Sequence, residues 1–88
     1  MTVEFLDKFG KDLNDITVQA VKKAIAKVIL EVESGKSLKS ISNIKKLQGT
    51  KHAYRIRIGD YRIGIYFQDG VVQFARIVHR KDIYKVFP

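Results

Sequence analysis

The sequence predicts an α+β fold: an N-terminal strand, two helices, then an antiparallel meander sheet. Two observations carry that prediction. Residues 18–32 repeat apolar side chains at steps of three and four, the period of an amphipathic helix. Residues 54–78 instead alternate apolar with polar and are broken by Gly59-Asp60 and Gln68-Asp69-Gly70, which is the pattern of strands joined by tight hairpins. At 88 residues the chain has the length of one small domain with a single modest core, so 1–88 is read as one unit without linker or repeat.

The elements follow in order. Val3 and Phe5 alternate with Thr2 and Glu4, so residues 1–6 read as an edge strand. Asp7 is placed to cap a first helix reaching about Asp15, with Phe9 and Leu13 on its inner side. The second helix is read from a Thr17 cap to a Gly35 stop; Val18, Val21, Ile25, Val28 and Val32 form its buried stripe, and its lysines form a solvated outer side. From Lys36 to Lys51, Leu38, Ile41, Ile44 and Leu47 recur every third residue, suggesting a short helix or turn-rich segment pinned to the core.

The hairpin of residues 54–67 is the centre of the reading. Tyr54, Ile56 and Ile58 share one face with Tyr61, Ile63, Ile65 and Phe67, because successive strand residues point to opposite sides. A two-residue loop at Gly59-Asp60 puts Arg57 directly opposite Arg62 on the other face, with Arg55 opposite Gly64. Like charges across a ladder repel, so the pair is either splayed into water or used to hold an anion. In this register Gly64 leaves a gap beside Arg55. A third strand runs from Val71 to Val78, where Arg76 breaks the apolar parity of Val72, Phe74 and Val78; a bulge or a sheet edge would free it. A two-residue second turn would put His79 on the arginine side.

Charge and composition narrow the function. Residues 1–44 carry a net +1, whereas residues 45–88 carry +7 and all five arginines, within a total of +8. Such asymmetry suits a polyanionic partner, nucleic acid or an acidic protein. There is no cysteine, so disulfides and thiolate metal sites are excluded, and His52 and His79 lie too far apart in sequence to suggest a metal site; no cofactor is expected. No apolar run approaches the roughly 20 residues of a membrane span, and the N-terminus does not resemble a secretory signal, so a cytoplasmic location is the expectation. Paired carboxylates, a nucleophilic triad and a glycine-rich phosphate loop are all missing from the C-terminal half. What remains is a basic face of Arg55, Arg57 and Arg62 with His79, Tyr66 and Tyr84 near it. Guanidinium forks grip two phosphate oxygens at once and aromatic rings stack on bases. Histidine or tyrosine can shuttle protons. The duller readings are outward surface charges for the arginines, an ordinary surface imidazole for His79, a ring packed on the sheet for Tyr84, and a loop residue for His52.

Three stretches carry a resemblance: Leu47-Gln48-Gly49, residues 54–63 (Tyr-Arg-Ile-Arg-Ile-Gly-Asp-Tyr-Arg-Ile) and His79-Arg80-Lys81-Asp82-Ile83-Tyr84. With them the chain resembles, over nearly its full length, the RelE/ParE superfamily of toxins from bacterial and archaeal toxin–antitoxin pairs, and most of all the RelE-type messenger-RNA interferases. The resemblance implies cleavage of messenger RNA in the ribosomal A site, leaving a 2′,3′-cyclic phosphate and a 5′-hydroxyl, and an acidic antitoxin as partner. It implies phosphate-holding or catalytic roles for Arg55, Arg57, Arg62 and Arg80, base stacking for Tyr84, and a basic position at His79. Lys45, Lys46, Lys51 and Tyr66 are expected to add RNA contacts. Gln48 stands where some members carry arginine. Arg55 and Arg57 stand where the best-known members have lysines, one of which is the proposed general base, so the proton acceptor is left open here and His79 becomes a candidate by elimination. The superfamily also holds gyrase inhibitors without nuclease activity, so a non-catalytic inhibitor or an inactive nucleic-acid- or antitoxin-binding module is the alternative.

Overall fold

The computed structural model describes Met1–Pro88. A five-stranded sheet organises it, in the order β1-β5-β4-β3-β2. The strands are β1 (Thr2–Phe5), β2 (Ile44–Lys46), β3 (Ala53–Ile58), β4 (Tyr61–Gln68) and β5 (Val71–His79). Between β1 and β2 run α1 (Asp7–Asn14), α2 (Gln19–Ser34) and a 3₁₀ turn at Leu38–Ser40; α3 (Ile83–Val86) ends the chain. β2 to β5 pair antiparallel, while β1 lies parallel to β5 at the far edge.

Both hairpins have the expected two-residue loops. Gly59 takes φ 54° at the first loop position, the conformation that favours glycine there. At the second turn Asp69 and Gly70 are both left-handed, at φ 54° and 77°, as a type I′ turn demands. The β3–β4 register is the one predicted, with Ile58 opposite Tyr61 and Arg57 opposite Arg62.

The helices cover one face of the sheet. Phe9 of α1 and Ile25 and Val32 of α2 pack with Ile56, Ile63, Ile65, Val72, Phe74 and Ile77 in the main core. Phe5, Phe9 and Phe74 stack with centroid separations of 5.4–5.8 Å, which seats α1 on β5. A smaller cluster of Leu47, Ala53, Ala75, Ile83 and Phe87 lies on the other face.

Several expectations need correction. Leu6, not Asp7, is the N-cap of α1, and Val18, not Thr17, that of α2; neither makes a side-chain cap bond. Asp7 still sits in the first turn, where the helix dipole favours an acid. Gly35 does end α2, yet its backbone is extended at φ −74°. Its lack of a side chain serves close packing instead, because a Cβ there would lie 2.8 Å from Ser40 Oγ. The 36–51 segment contributes a strand, β2, that a three-residue apolar spacing concealed. The C-terminal stretch, for which no element was expected, forms α3 and buries Ile83 and Phe87.

Candidate functional site: an arginine face completed by a bulge

Arg55, Arg57 and Arg62 project from the sheet face opposite the two long helices, and alternation along β3 and β4 dictates this. Lys45 joins them, being directly opposite Arg55 across the β2–β3 ladder. Lys46, one residue on, pairs with Tyr54 and therefore faces the helix side, away from the arginines. Lys51 and His52 are exposed in the loop between β2 and β3.

β5 changes parity halfway along. Ile65 pairs with Phe74 but Gly64 pairs with Arg76, so Ala75 is an extra residue in β5, a bulge. Beyond it every side chain changes sides relative to a regular strand. Val78 comes to the arginine face, opposite Arg62, and not to the face of Val72 and Phe74. His79 goes to the helix side, opposite Tyr61, with the two rings 6.0 Å apart edge to face. The expectation that His79 joins the arginines is thus overturned, since it assumed a regular β5. Arg80 takes that place, its N–H donating to the Asp60 carbonyl at 2.7 Å across the hairpin tip.

The bulge also settles Arg76. The β1 pairing ends at Phe5–Phe74, which leaves the β5 edge open beside α1. Asp12 of α1 closes it: one carboxylate oxygen accepts from Arg76 Nε at 2.7 Å and from the Ile77 N–H at 3.0 Å, and the other accepts from Arg76 Nη2 at 3.0 Å. This arginine is part of the scaffold, not of the phosphate face.

The remaining guanidiniums lack such partners. Arg62 Nη1 donates to the carbonyls of Gly59 and Tyr61 at 2.8 and 2.9 Å, which fixes its direction without neutralising it. Arg57 reaches only Asn43 Oδ1, at 3.5 Å. Arg55 Nε is shielded from solvent and has no acceptor at all. Arg80 has one distant carboxylate, Asp60, at 4.0 Å. Burial, and then the charges of Arg55, Arg57 and Arg80, push the Arg62 pKa below its ordinary value, while Tyr84 opposes the shift. That mutual repulsion places all four arginines and Tyr84 within one electrostatic neighbourhood. Tyr84 is 64% exposed, so its ring is free to stack and is not packed on the sheet.

The gap expected at Gly64 is filled. Phe87 lies against it, so close that a Cβ at position 64 would come within 2.6 Å of Phe87 Cγ. Tyr66 shares the arginine face but is half-buried, its ring centroid 5.0 Å from that of Phe87. Sequence reasoning missed Phe87; the only signals were a glycine in mid-strand and an aromatic residue beside the C-terminal proline.

Comparison with known proteins agrees with this architecture. Residues 3–84 match the family model described as the ParE toxin of the type II toxin–antitoxin system parDE. The chain belongs to the RelE/ParE superfamily of type II toxins. It is 40% identical to Toxin RelE3 of Methanocaldococcus jannaschii over the full length of both chains. Among solved structures, the toxin in the RelB–RelE antitoxin–toxin complex of Methanococcus jannaschii superposes with a TM-score of 0.83 at 39% identity, covering 97% of this chain and 99% of that one. The RelE–RelB complex of Pyrococcus horikoshii OT3, at 22% identity, shares the fold with a TM-score of 0.72 over 93% and 97% of the two chains.

Proposed function

We propose that this toxin is a ribosome-dependent endoribonuclease, cutting messenger RNA in the decoding site and held silent by an acidic antitoxin. The observation that carries the reading is the unneutralised arginine set, above all the shielded Arg55 Nε without an acceptor. Buried donors are almost always satisfied, so an orphan on a cationic face asks for an anion.

The chemistry joins the ribose O2′ to the adjacent phosphorus and breaks the bond from phosphorus to O5′. The proton lost by O2′ balances the one gained by O5′. Charge develops on the non-bridging phosphate oxygens, where fixed guanidiniums act without reorganising. Arg55, Arg57, Arg62 and Arg80 hold that phosphate, Lys45 extends the grip, and Tyr84 stacks on a neighbouring base. Lys51 and Tyr66, at the far end of the same sheet face or its adjoining loop, touch RNA only if the strand runs on past Phe87. Around the arginines, strand positions on this face carry neither carboxylate nor imidazole; its one strand carboxylate, Glu4 of β1, lies at the opposite edge of the sheet and accepts from Gln73 Nε2 at 3.0 Å. Arginine stays protonated. Proton transfer therefore falls to water, Tyr84 or groups of the ribosome, which accounts for activity only on that particle. Dependence on ribosomes makes the cytoplasm its place of action, and no helix is long and apolar enough to cross a membrane.

The match to the ParE toxin model favours a second reading, inhibition of DNA gyrase without cleavage. Mapping RNA ends on ribosomes after brief expression separates the two. Cuts within codons that vanish in Arg62→Ala support the nuclease, while intact messages accompanied by DNA breaks support the gyrase inhibitor.

A further inference from the structure

The two hairpins of the sheet turn through different peptide geometries. Asp69 and Gly70 are both left-handed, whereas in the Gly59-Asp60 loop only Gly59 is, at φ 54°. Two left-handed residues define a type I′ turn, and a left-handed first residue alone defines type II′. The types differ by a flip of the peptide between the two central residues, since only ψ of the first and φ of the second change. That choice decides to which face of the hairpin the Gly59 carbonyl points, and it leaves the strand register as it is.

The carbonyl points to the arginines. Arg62 Nη1 donates to it at 2.8 Å and to the Tyr61 carbonyl at 2.9 Å, while the Asp60 carbonyl between them accepts from the Arg80 N–H at 2.7 Å. Successive carbonyls of one turn thus hold the side chain of one arginine of the face and the backbone of another. Both N–H groups of Arg62 Nη1 are used in this way. Nε–H and Nη2 remain, and they form the edge of the guanidinium that meets two oxygens of one phosphate. Arg57, directly opposite, repels the group they belong to. No side chain crowds Gly59, because a Cβ there would find no atom within 4 Å. The glycine is needed for its backbone alone.

We propose that Gly59 is a positioning residue for the phosphate grip: the type II′ turn it permits aims its carbonyl at Arg62 and presents the Nε–Nη2 edge of that guanidinium to the phosphate. The proposal rests on the nuclease reading above. A long side chain among like charges otherwise swings into water, and its ordering then has to be supplied during the reaction. Held beforehand, it meets the developing charge without reorganising. Gly59 acts through Arg62, so its effect falls on kcat more than on KM.

The test flips the peptide and keeps the hairpin. Asn-Gly favours type I′, and glycine followed by serine favours type II′. Gly59→Asn/Asp60→Gly is therefore compared with Asp60→Ser, which also removes the Asp60 carboxylate but retains the geometry. Amide exchange across β3 and β4 should match in the two chains. On programmed ribosomes the double variant should show a kcat about tenfold or more below that of Asp60→Ser, with KM within about twofold, because the charges of the two chains are the same. By NMR, the Arg62 Nη1 and Nη2 signals should be separate in the parent and in Asp60→Ser, and merged in the double variant, where the Gly59 anchor is gone. Added inorganic phosphate should move the Nε and Nη2 signals of the parent and leave Nη1 in place. Gly59→Ala disfavours a left-handed first position without favouring type I′, and should lower kcat several-fold by that separate route.

Equal kcat in the double variant and Asp60→Ser overturns the proposal, as does a loss confined to KM. So do Nη signals already merged in the parent, or phosphate that displaces Nη1. If the double variant loses its β3–β4 exchange pattern, Gly59→Ala decides, and a parent-like kcat there overturns the proposal. Any of these with RNA cutting intact in the parent removes the positioning role only. A parent that cuts no RNA, with the Arg62 signals behaving as described, removes only the nuclease reading.

Discussion

The ring of Phe87 rests on the backbone of Gly64, and the space a side chain would need there is already taken. Phe87 is 3% exposed and packs on Tyr66 as well, so it ties the end of α3 to the middle of β4. A methyl group at position 64 must therefore push the ring off the sheet. Gly64→Ala is expected to cost about 1–3 kcal/mol, as overpacked cores do. In a domain of this size that lowers the melting temperature by roughly 4–8 °C per kcal/mol. Repeating the substitution in a Phe87→Ala background gives the decisive comparison. With the ring gone, the second substitution should cost less than about 0.5 kcal/mol, because the clash has no partner. Equal costs in both backgrounds would place the strain elsewhere.

The bulge at Ala75 makes a prediction about His79 and Arg80. It sends His79 behind the sheet beside Tyr61 and carries Arg80 round to Arg62. His79→Ala should leave toxicity and RNA cutting within about twofold of the parent, since its contacts, the Tyr61 ring and the Lys81 N–H that donates to His79 Nδ1, are local and lie away from the arginine face. Arg80→Ala should reduce cutting on ribosomes by tenfold or more, the scale of losing a charge-assisted contact to the transition state. The pair is measured by single-turnover cleavage on programmed ribosomes. A severe loss in His79→Ala with Arg80→Ala near normal would mean that β5 is regular when the toxin is bound to its target.

These two sites mark where the sequence is legible and where it is not. The β3–β4 hairpin reads directly, because Gly59-Asp60 and seven alternating apolar residues leave one register that buries them all. The α2 stripe is equally plain from Val21 to Val32, but Val18, expected at its start, is an exposed N-cap residue and lies outside it. The bulge is invisible, since an extra alanine in a strand carries no local signal and only the oddity of Arg76 hinted at it. β2 is hidden for a different reason. Three residues are too few for an alternation to show, and the strand exists because β3 offers it a ladder. Phe87 escaped because its partner, Gly64, is 23 residues away and has no side chain to advertise the contact. Local period finds the frame; the long-range contacts that complete the site do not have one.

Asp12 is expected to be the most sensitive charged position outside the arginine face. It holds Arg76 and the Ile77 N–H together, and the two side chains are only 12% and 19% exposed. Asp12→Asn leaves the guanidinium half-buried without its counter-charge, a loss of about 2–4 kcal/mol, somewhat below that of a fully buried pair. Chemical denaturation reads it directly. The hydrogen bond to Asp12 raises the Arg76 pKa, so the Arg76 contribution is present below the ordinary arginine value and is lost only as pH rises beyond the raised one. The parent protein should therefore show no stability change attributable to Arg76 between neutral pH and mild alkali. A loss under about 0.5 kcal/mol in Asp12→Asn would show that α1 holds the β5 edge by packing alone.

Arg62 should trade stability for function. Its pKa is pushed down by burial first and by Arg55, Arg57 and Arg80 after that, so the charged form is penalised in the folded state. For a cation with a depressed pKa the penalty is complete below that pKa and lifts only as pH rises through it. At neutral pH the charge on Arg62 is therefore unfavourable to the fold, against which stand its two bonds to backbone carbonyls. Arg62→Gln removes the charge and, with it, the bonds to the Gly59 and Tyr61 carbonyls at the exposed hairpin tip. The melting temperature of the variant should equal or exceed that of the parent, although RNA cutting is lost. Sulfate, compared with chloride at matched ionic strength, should stabilise the parent by occupying the face. The gain should be smaller in Arg62→Gln. If Arg62→Gln is less stable than the parent by more than about 1 kcal/mol, the guanidinium is a structural clamp and the repulsion it feels is not the dominant effect.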